Sequence, residues 1–160
     1  MRLDFGCGKK KKEGFIGVDF GKTSDAEIIC NCEHYPLPFN DNTIDEVYSS
    51  HFLEHIADPN AFLIDLMRIM KPGAEALIHV PNHQYSQSWV SSHKWQPAMP
   101  YLRQMIEARG FQVISIEKDW CAEIQSPTNP FHEMWKKNPD LVALHLWNVV
   151  WQLRIKFKKP

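Results

Sequence analysis

Three short groups of residues combine side chains and backbone suited to chemistry. The run Leu3-Asp4-Phe5-Gly6-Cys7-Gly8 ends an extended segment in a Gly-x-Gly turn. Without Cβ atoms there, backbone N–H groups can approach the polar tail of a ligand. Gly17-Val18-Asp19 puts a carboxylate at the end of a second extended segment, where nucleoside-binding α/β folds pair an acid with the two ribose hydroxyls. Ser49, Ser50 and His51 stand at the end of a further extended segment. His51 is the first candidate for proton transfer and His83 the second, with His93 within reach if residues 83–96, rich in Ser, His, Trp and Gln, close as a lid.

Other patterns carry less. His51-Phe52-Leu53-Glu54-His55 spells HxxEH, the spacing that in some zinc peptidases sets two histidines one helical turn apart. That chemistry needs a third ligand and a long helix, and Pro59 restarts the chain soon after His55. A hydrogen-bonded Glu54–His55 pair bracing the turn is the expected role. Cys30-x-Cys32 lacks a second cysteine pair within reach, so no metal site is expected.

The elements that must position these groups follow from pattern. Extended runs are expected at 2–5, 15–20, 26–30 and 44–49, separated by Gly, Pro and Asn/Asp turn residues. Asp58 before Pro59 is an N-cap, and Phe62, Leu63, Leu66, Met67 and Met70 share one helical face until Pro72 and Gly73 stop it. A strand at 74–80 follows, then a helix from Pro100 to Arg109 with Gly110 as its C-terminal cap, and a strand at 111–116. An irregular stretch carries Pro127, Pro130 and Pro139. Alternating Trp151, Leu153, Ile155 and Phe157, with Arg154, Lys156 and Lys158 between them, predict a last, antiparallel strand. Strands interleaved with helices predict an α/β, Rossmann-like, mostly parallel sheet.

The ordered set LDFGCG at 3–8, GVD at 17–19, PLPF at 36–39, DNTID at 41–45, HFLEH at 51–55 and KPGA at 71–74 resembles the class I S-adenosylmethionine-dependent methyltransferases, over about the first 82 residues. The resemblance is to their small type-11-like members. It implies that Asp4, Gly6, Cys7 and Gly8 hold the methionine end of S-adenosylmethionine and that Asp19, with Phe20 beside it, meets the ribose. Asn31 and the backbone of Cys32 would meet the adenine, and Ser49, Ser50 and His51 would flank the sulfonium. Asparagine stands at 31 where the family usually has aspartate. One domain, 1–160, is expected, with a cofactor-binding half at 1–82 and an acceptor-side half at 83–160.

The chain departs from that family in its front end. Only residues 9–13 separate Gly8 from Gly14, too few for a crossover helix, and 20–26 is equally brief, so the first helices are expected to be shortened or absent. That would bare one sheet face. Six Trp and nine Phe in 160 residues offer cover from the carboxyl-terminal segment or from a second subunit in a homodimer. The four lysines at 9–12 read as a solvated loop.

Composition sets the remaining bounds. Eighteen Lys and Arg against nineteen Asp and Glu, net −1, provide no field for a phosphate backbone, so no nucleic-acid partner is expected. No apolar run reaches the ~20 residues of a membrane helix, so no membrane partner is expected. Four irregularly spaced cysteines fit reduced thiols in a cytoplasmic protein. The expected activity is methyl transfer to a small polar or sugar-like acceptor. The rival is a non-catalytic S-adenosylmethionine or S-adenosylhomocysteine-binding module acting through a partner. A nicotinamide dehydrogenase is disfavoured because GCGKKKKEG lacks the third glycine and helix start that seat a pyrophosphate.

Overall fold

The computed structural model describes residues 1–21, 24–83, 91–95, 98–121, 125–145 and 150–160. Most of the expected lid, residues 84–90 and 96, lies outside them. Its elements in chain order are β1 (Arg2–Phe5), β2 (Ile16–Asp19), β3 (Ile28–Ile29), β4 (Ile44–Ser50), a 3-10 turn (Leu53–His55), α1 (Pro59–Ile69), β5 (Met70–Pro81), α2 (Met99–Glu107), β6 (Gln112–Trp120), α3 (His132–Lys137), α4 (Pro139–His145) and β7 (Val150–Lys158).

The strands form one sheet in the order β3-β2-β1-β4-β5-β7-β6. β1 to β5 run parallel, and β7 is antiparallel to both of its neighbours. The strand order reverses between β1 and β4, so the loops after these two strands diverge and leave a crevice at their carboxyl ends.

One face of the sheet carries the core. Leu3 and Phe5 of β1, Val18 of β2, Val47 of β4, Ile78 of β5 and Ile155 and Phe157 of β7 are all buried there. Phe62 of α1 meets Phe5 edge-on at 5.3 Å, and Phe111 beside β6 meets Phe157 at 4.8 Å. α1 begins as its sequence demands: the Asp58 carboxylate accepts from the N–H groups of Asn60 and Ala61, each at 3.0 Å. It stops at Ile69 rather than at Pro72, because Met70 already pairs with Ile44 and the strand starts there, with an irregular register before Glu46 meets Glu75.

The opposite face differs from the expectation of an apolar surface in need of cover. The register places Arg2, Glu46, Glu75, Lys158 and Gln112 in one row across the strands, and His79, Arg154 and Glu117 in another. Arg2–Glu46 at 2.8 Å, Lys156–Glu75 at 2.7 Å and Arg154–Glu117 at 3.1 Å are ion pairs on this face. Alternation along each strand thus puts charged side chains on the side that lacks the crossover helix.

As the short spacer predicts, the β1–β2 crossover is a bare loop without a helix. It is pinned to the sheet by aromatic and cationic contacts. Phe15 packs edge-on against Tyr48 at 6.2 Å, Lys12 Nζ sits 4.0 Å from the Tyr48 ring centroid, and the Arg2 guanidinium lies 4.3 Å from that of Phe15. The stretch read as irregular contains the short helices α3 and α4. No helix among the described residues is long and apolar enough to cross a membrane.

Candidate active site

β1 ends at Phe5, and the chain turns at Gly6 with φ +69°. The Gly6 N–H donates to the Val18 carbonyl at 2.8 Å, which ties the turn to β2. A Cβ at Gly6 would lie 2.5 Å from the Phe52 side chain, so a side chain there would collide with the turn that follows β4. Gly17 answers a second close approach: a Cβ there would lie 2.7 Å from Cys7 Sγ.

Asp19 at the end of β2 is oriented by the backbone. Its Oδ2 accepts from the Gly8 N–H at 2.9 Å and its Oδ1 from the Gly21 N–H at 2.7 Å. The carboxylate therefore joins the Gly-x-Gly loop to the β2 end, with lone pairs left over for hydroxyl donors.

Two cavities meet at Gly6. One, of about 390 Å³, is bordered by Asp19, Phe20, Asn31, Cys32, His51 and Phe52 besides Gly6. Asn31 lies within it, but its Oδ1 accepts from the Glu33 N–H at 3.1 Å. Burial pushes the Cys32 thiol well above its ordinary range. The other, of about 570 Å³, lies under the crossover loop between Asp4, Cys7, Lys10, Lys12, Tyr48 and Ser50. There Asp4 is 2% exposed. Its Oδ2 accepts from the Lys12 N–H at 2.8 Å, whereas Oδ1 is buried without a partner. Burial raises the Asp4 carboxyl against the opposing pull of that bond and of the Lys12 and Lys11 charges. Burial, aided by the Asp19 charge, pushes the Cys7 thiol up to about 11.

The structure thus brings Gly6, Asp19, Phe20, Asn31, Cys32 and His51 to one cavity and Asp4, Cys7 and Ser50 to the adjoining one. Gly8 lies between them through its bond to Asp19. Ser49 is fully buried and borders neither cavity. His83 borders a different cavity, of about 320 Å³, with Asn82, Met99, Lys118 and Val150.

His51 is the first residue after β4 and has φ +53°, a left-handed conformation that costs a non-glycine residue energy. Its ring is over-determined from three sides. Nε2 lies 2.7 Å from Gln152 Oε1, Nδ1 lies 3.3 Å from Glu54 Oε1, and Trp151 stacks on it at 5.4 Å and 13°. Gln152 in turn donates to Asp119. The Glu54 interaction raises the imidazole above its ordinary range, with burial opposing and Gln152 assisting. Glu54 does not pair with His55 as expected; it faces His51 and His93, and His55 Nδ1 contacts the Ser92 carbonyl at 2.9 Å. Sequence reasoning missed Trp151, Gln152 and Glu54 as neighbours of His51. The first two lie about a hundred residues away, with only strand alternation to mark them.

Comparison with known proteins bears on the sequence pattern and the fold. Residues 3–78 match the family described as Methyltransferase domain. An uncharacterized methyltransferase of Schizosaccharomyces pombe is 44% identical over 57 residues, 32% of this chain and 20% of that protein. The matched region is thus about a fifth of that curated relative's length. Among solved structures, an S-adenosylmethionine-dependent methyltransferase from Archaeoglobus fulgidus superposes with TM-score 0.75 at 24% identity, over 99% of this chain and 85% of its own. A Haloferax volcanii complex of the Trm112 methyltransferase activator and a methyltransferase gives 0.67 at 19% identity, over 99% and 82%. Haemonchus contortus phosphoethanolamine N-methyltransferase 2 with S-adenosyl-L-methionine gives 0.69 at 17%, over 99% and 48%. Residues 3–78 thus carry the sequence pattern of a methyltransferase domain, and the chain has the fold of the S-adenosylmethionine-dependent methyltransferases.

Proposed function

We propose that this chain binds S-adenosylmethionine across the two cavities that meet at Gly6 and transfers its methyl group to a small polar acceptor. The observation that carries the proposal is the Asp19 carboxylate, fixed by the Gly8 and Gly21 N–H groups at the rim of a 390 Å³ cavity. The residues present fit the cofactor. Asp19 offers acceptors to a ribose, and Phe20, Phe52 and Cys32 offer apolar surface to a purine. The unpartnered Asp4 Oδ1 offers a buried acceptor to an ammonium group. Asn31 can donate through its amide nitrogen while its oxygen stays in the local turn.

The cofactor supplies an electrophilic methyl group on a sulfonium, so the work left to the chain is positioning and proton removal. His51 would accept the proton of an acceptor hydroxyl or amine at Nε2 once Gln152 Oε1, to which Nε2–H now donates, moves aside and that proton leaves to solvent, while Nδ1–H faces Glu54 and Trp151 stacks on the ring. His83, on the acceptor-side cavity, is the second candidate base. The direct test is transfer of labelled methyl from S-adenosylmethionine to a panel of sugars, nucleotide sugars and small alcohols or amines. Label in at least one acceptor is expected, with loss in His51→Ala.

One observation favours a second reading. The helix that normally follows the Gly-x-Gly turn is absent, and a lysine loop stands in its place. The Haloferax volcanii neighbour is a methyltransferase complexed with an activator, and a partner of that kind would complete the pocket here. Cofactor binding with no product from any acceptor, with or without a partner, would support a binding module.

A further inference from the structure

We propose that Glu54, His55 and His93 form a binding site for one divalent transition-metal ion of the zinc type, which clips the segment 91–95 onto the turn after β4. Glu54 is fully buried, and neither carboxylate oxygen receives a hydrogen bond. A buried carboxylate is costly and only His51 and His93, at 3.3 and 3.9 Å, face it, so the site favours further positive charge. One ligand atom each from Glu54, His55 and His93 lies within 4.8 Å of the others.

The distances suit ligands around an ion better than hydrogen bonds. Among the proposed ligands, His93 Nε2 is 3.9 Å from Glu54 Oε1. A charged N–H···O bond closes to about 2.7–2.9 Å. Ligands at about 2.0–2.1 Å in tetrahedral array stand about 3.4 Å apart. His55 is already oriented as a ligand would be, since its Nδ1 contacts the Ser92 carbonyl at 2.9 Å, which fixes the tautomer and leaves Nε2 as the donor atom. Two imidazoles and one carboxylate make a borderline donor set that suits zinc and leaves a fourth position. His55 also borders the 390 Å³ cavity, which gives an ion a route in.

The HxxEH spacing alone argued against such a site because it lacked a third ligand and a helix. The helix is indeed replaced by a three-residue 3-10 turn, but the third ligand arrives from the segment beyond β5. That segment is docked independently by the Lys94 N–H on the Glu54 carbonyl at 2.8 Å and by Trp95 Nε1 on the Leu53 carbonyl at 3.0 Å. The alternative occupant of the charge is a proton shared between Glu54 and its histidines.

The test is equilibrium dialysis of the chelator-stripped chain against Zn²⁺, with Co²⁺ as a spectroscopic probe. About one ion per chain with a sub-micromolar dissociation constant is expected, together with the visible absorption of four-coordinate cobalt. His93→Ala and His55→Ala should each weaken uptake about a hundred-fold. His93→Ala leaves both docking bonds of the segment intact, so the variant is expected to fold, and circular dichroism checks it. Exposed His34→Ala and the cysteine variant Cys30→Ser should bind as the parent does. No uptake of either ion, full uptake by His93→Ala, or loss that appears only in Cys30→Ser would each overturn the site and leave the shared proton as the explanation.

Discussion

Trp151, the second residue of β7, stacks on His51, the first residue after β4, with ring centroids 5.4 Å apart and planes 13° from parallel. The antiparallel direction of β7 makes this contact possible, because it brings the start of the last strand to the carboxyl ends of the parallel ones. The last strand thereby shapes the environment of the residue that follows β4.

The stack shields the imidazole from reagents in solution. Stacking of this kind is worth about 0.5–1.5 kcal/mol, so Trp151→Ala should speed acylation of His51 by diethyl pyrocarbonate about two- to tenfold. Peptide mass spectrometry over a time course reads this directly. An unchanged rate would mean that the ring is held by Gln152 and Glu54 alone.

Asp19→Ala removes the acceptor of two backbone N–H groups as well as the group assigned to the ribose. Cofactor affinity should fall by about 1.5–3 kcal/mol, on the order of ten- to a hundred-fold. Asp19→Asn, which keeps an acceptor but loses the charge, should lie between the two. Titration calorimetry of the three proteins with S-adenosylhomocysteine provides the comparison.

The first half of the chain was largely legible before its structure because its signals are local. Asp58-Pro59 marked the start of α1, and Gly17-Val18-Asp19 marked the end of β2, each by residues adjacent in sequence. The bare β1–β2 crossover followed from counting residues 9–13. What escaped was long-range or hidden by strong local punctuation. Pro127, Pro130 and Pro139 hid α3 and α4, although Pro139 opens α4 as a first-turn proline can. The polar character of the open sheet face was written in the alternation of β4 to β7, yet it becomes visible only once the register aligns Arg154 with Glu117 and His79. The arrival of His93 beside Glu54 has no sequence signature.

Arg68 tests how the loop before β4 is held. Its guanidinium pairs with Asp65 at 2.7 Å and with Asp41 at 2.7 Å, and donates to the Phe39 and Leu37 carbonyls. Asp65 in turn accepts from the Leu37 N–H at 2.7 Å. Arg68→Met should therefore destabilise the fold by about 1–3 kcal/mol, read from urea unfolding midpoints at unchanged m-value. A loss below about 0.5 kcal/mol would mark the network as a solvated surface one.

Cys7 reports the protonation chemistry of the Gly-x-Gly turn. With its thiol moved from 9.0 up to about 11 by burial and the Asp19 charge, the thiolate fraction at pH 8 drops roughly a hundred-fold. The thiolate is the reactive form and accumulates only as pH rises toward the shifted value. Iodoacetamide should therefore label Cys7 at pH 8 about a hundred-fold more slowly than a free thiol, and the rate should climb through pH 10. Labelling as fast as a free thiol at pH 8 would show the turn to be open.

Titration calorimetry of the unmodified chain with S-adenosylmethionine and S-adenosylhomocysteine tests the central claim without needing to know the acceptor. The two cavities meeting at Gly6, with Asp19 fixed at the rim of one and Asp4 buried in the other, predict a single site of micromolar affinity, about −8 kcal/mol, for both ligands. Heat of dilution alone with both, from a folded and monodisperse sample, would contradict the cofactor assignment.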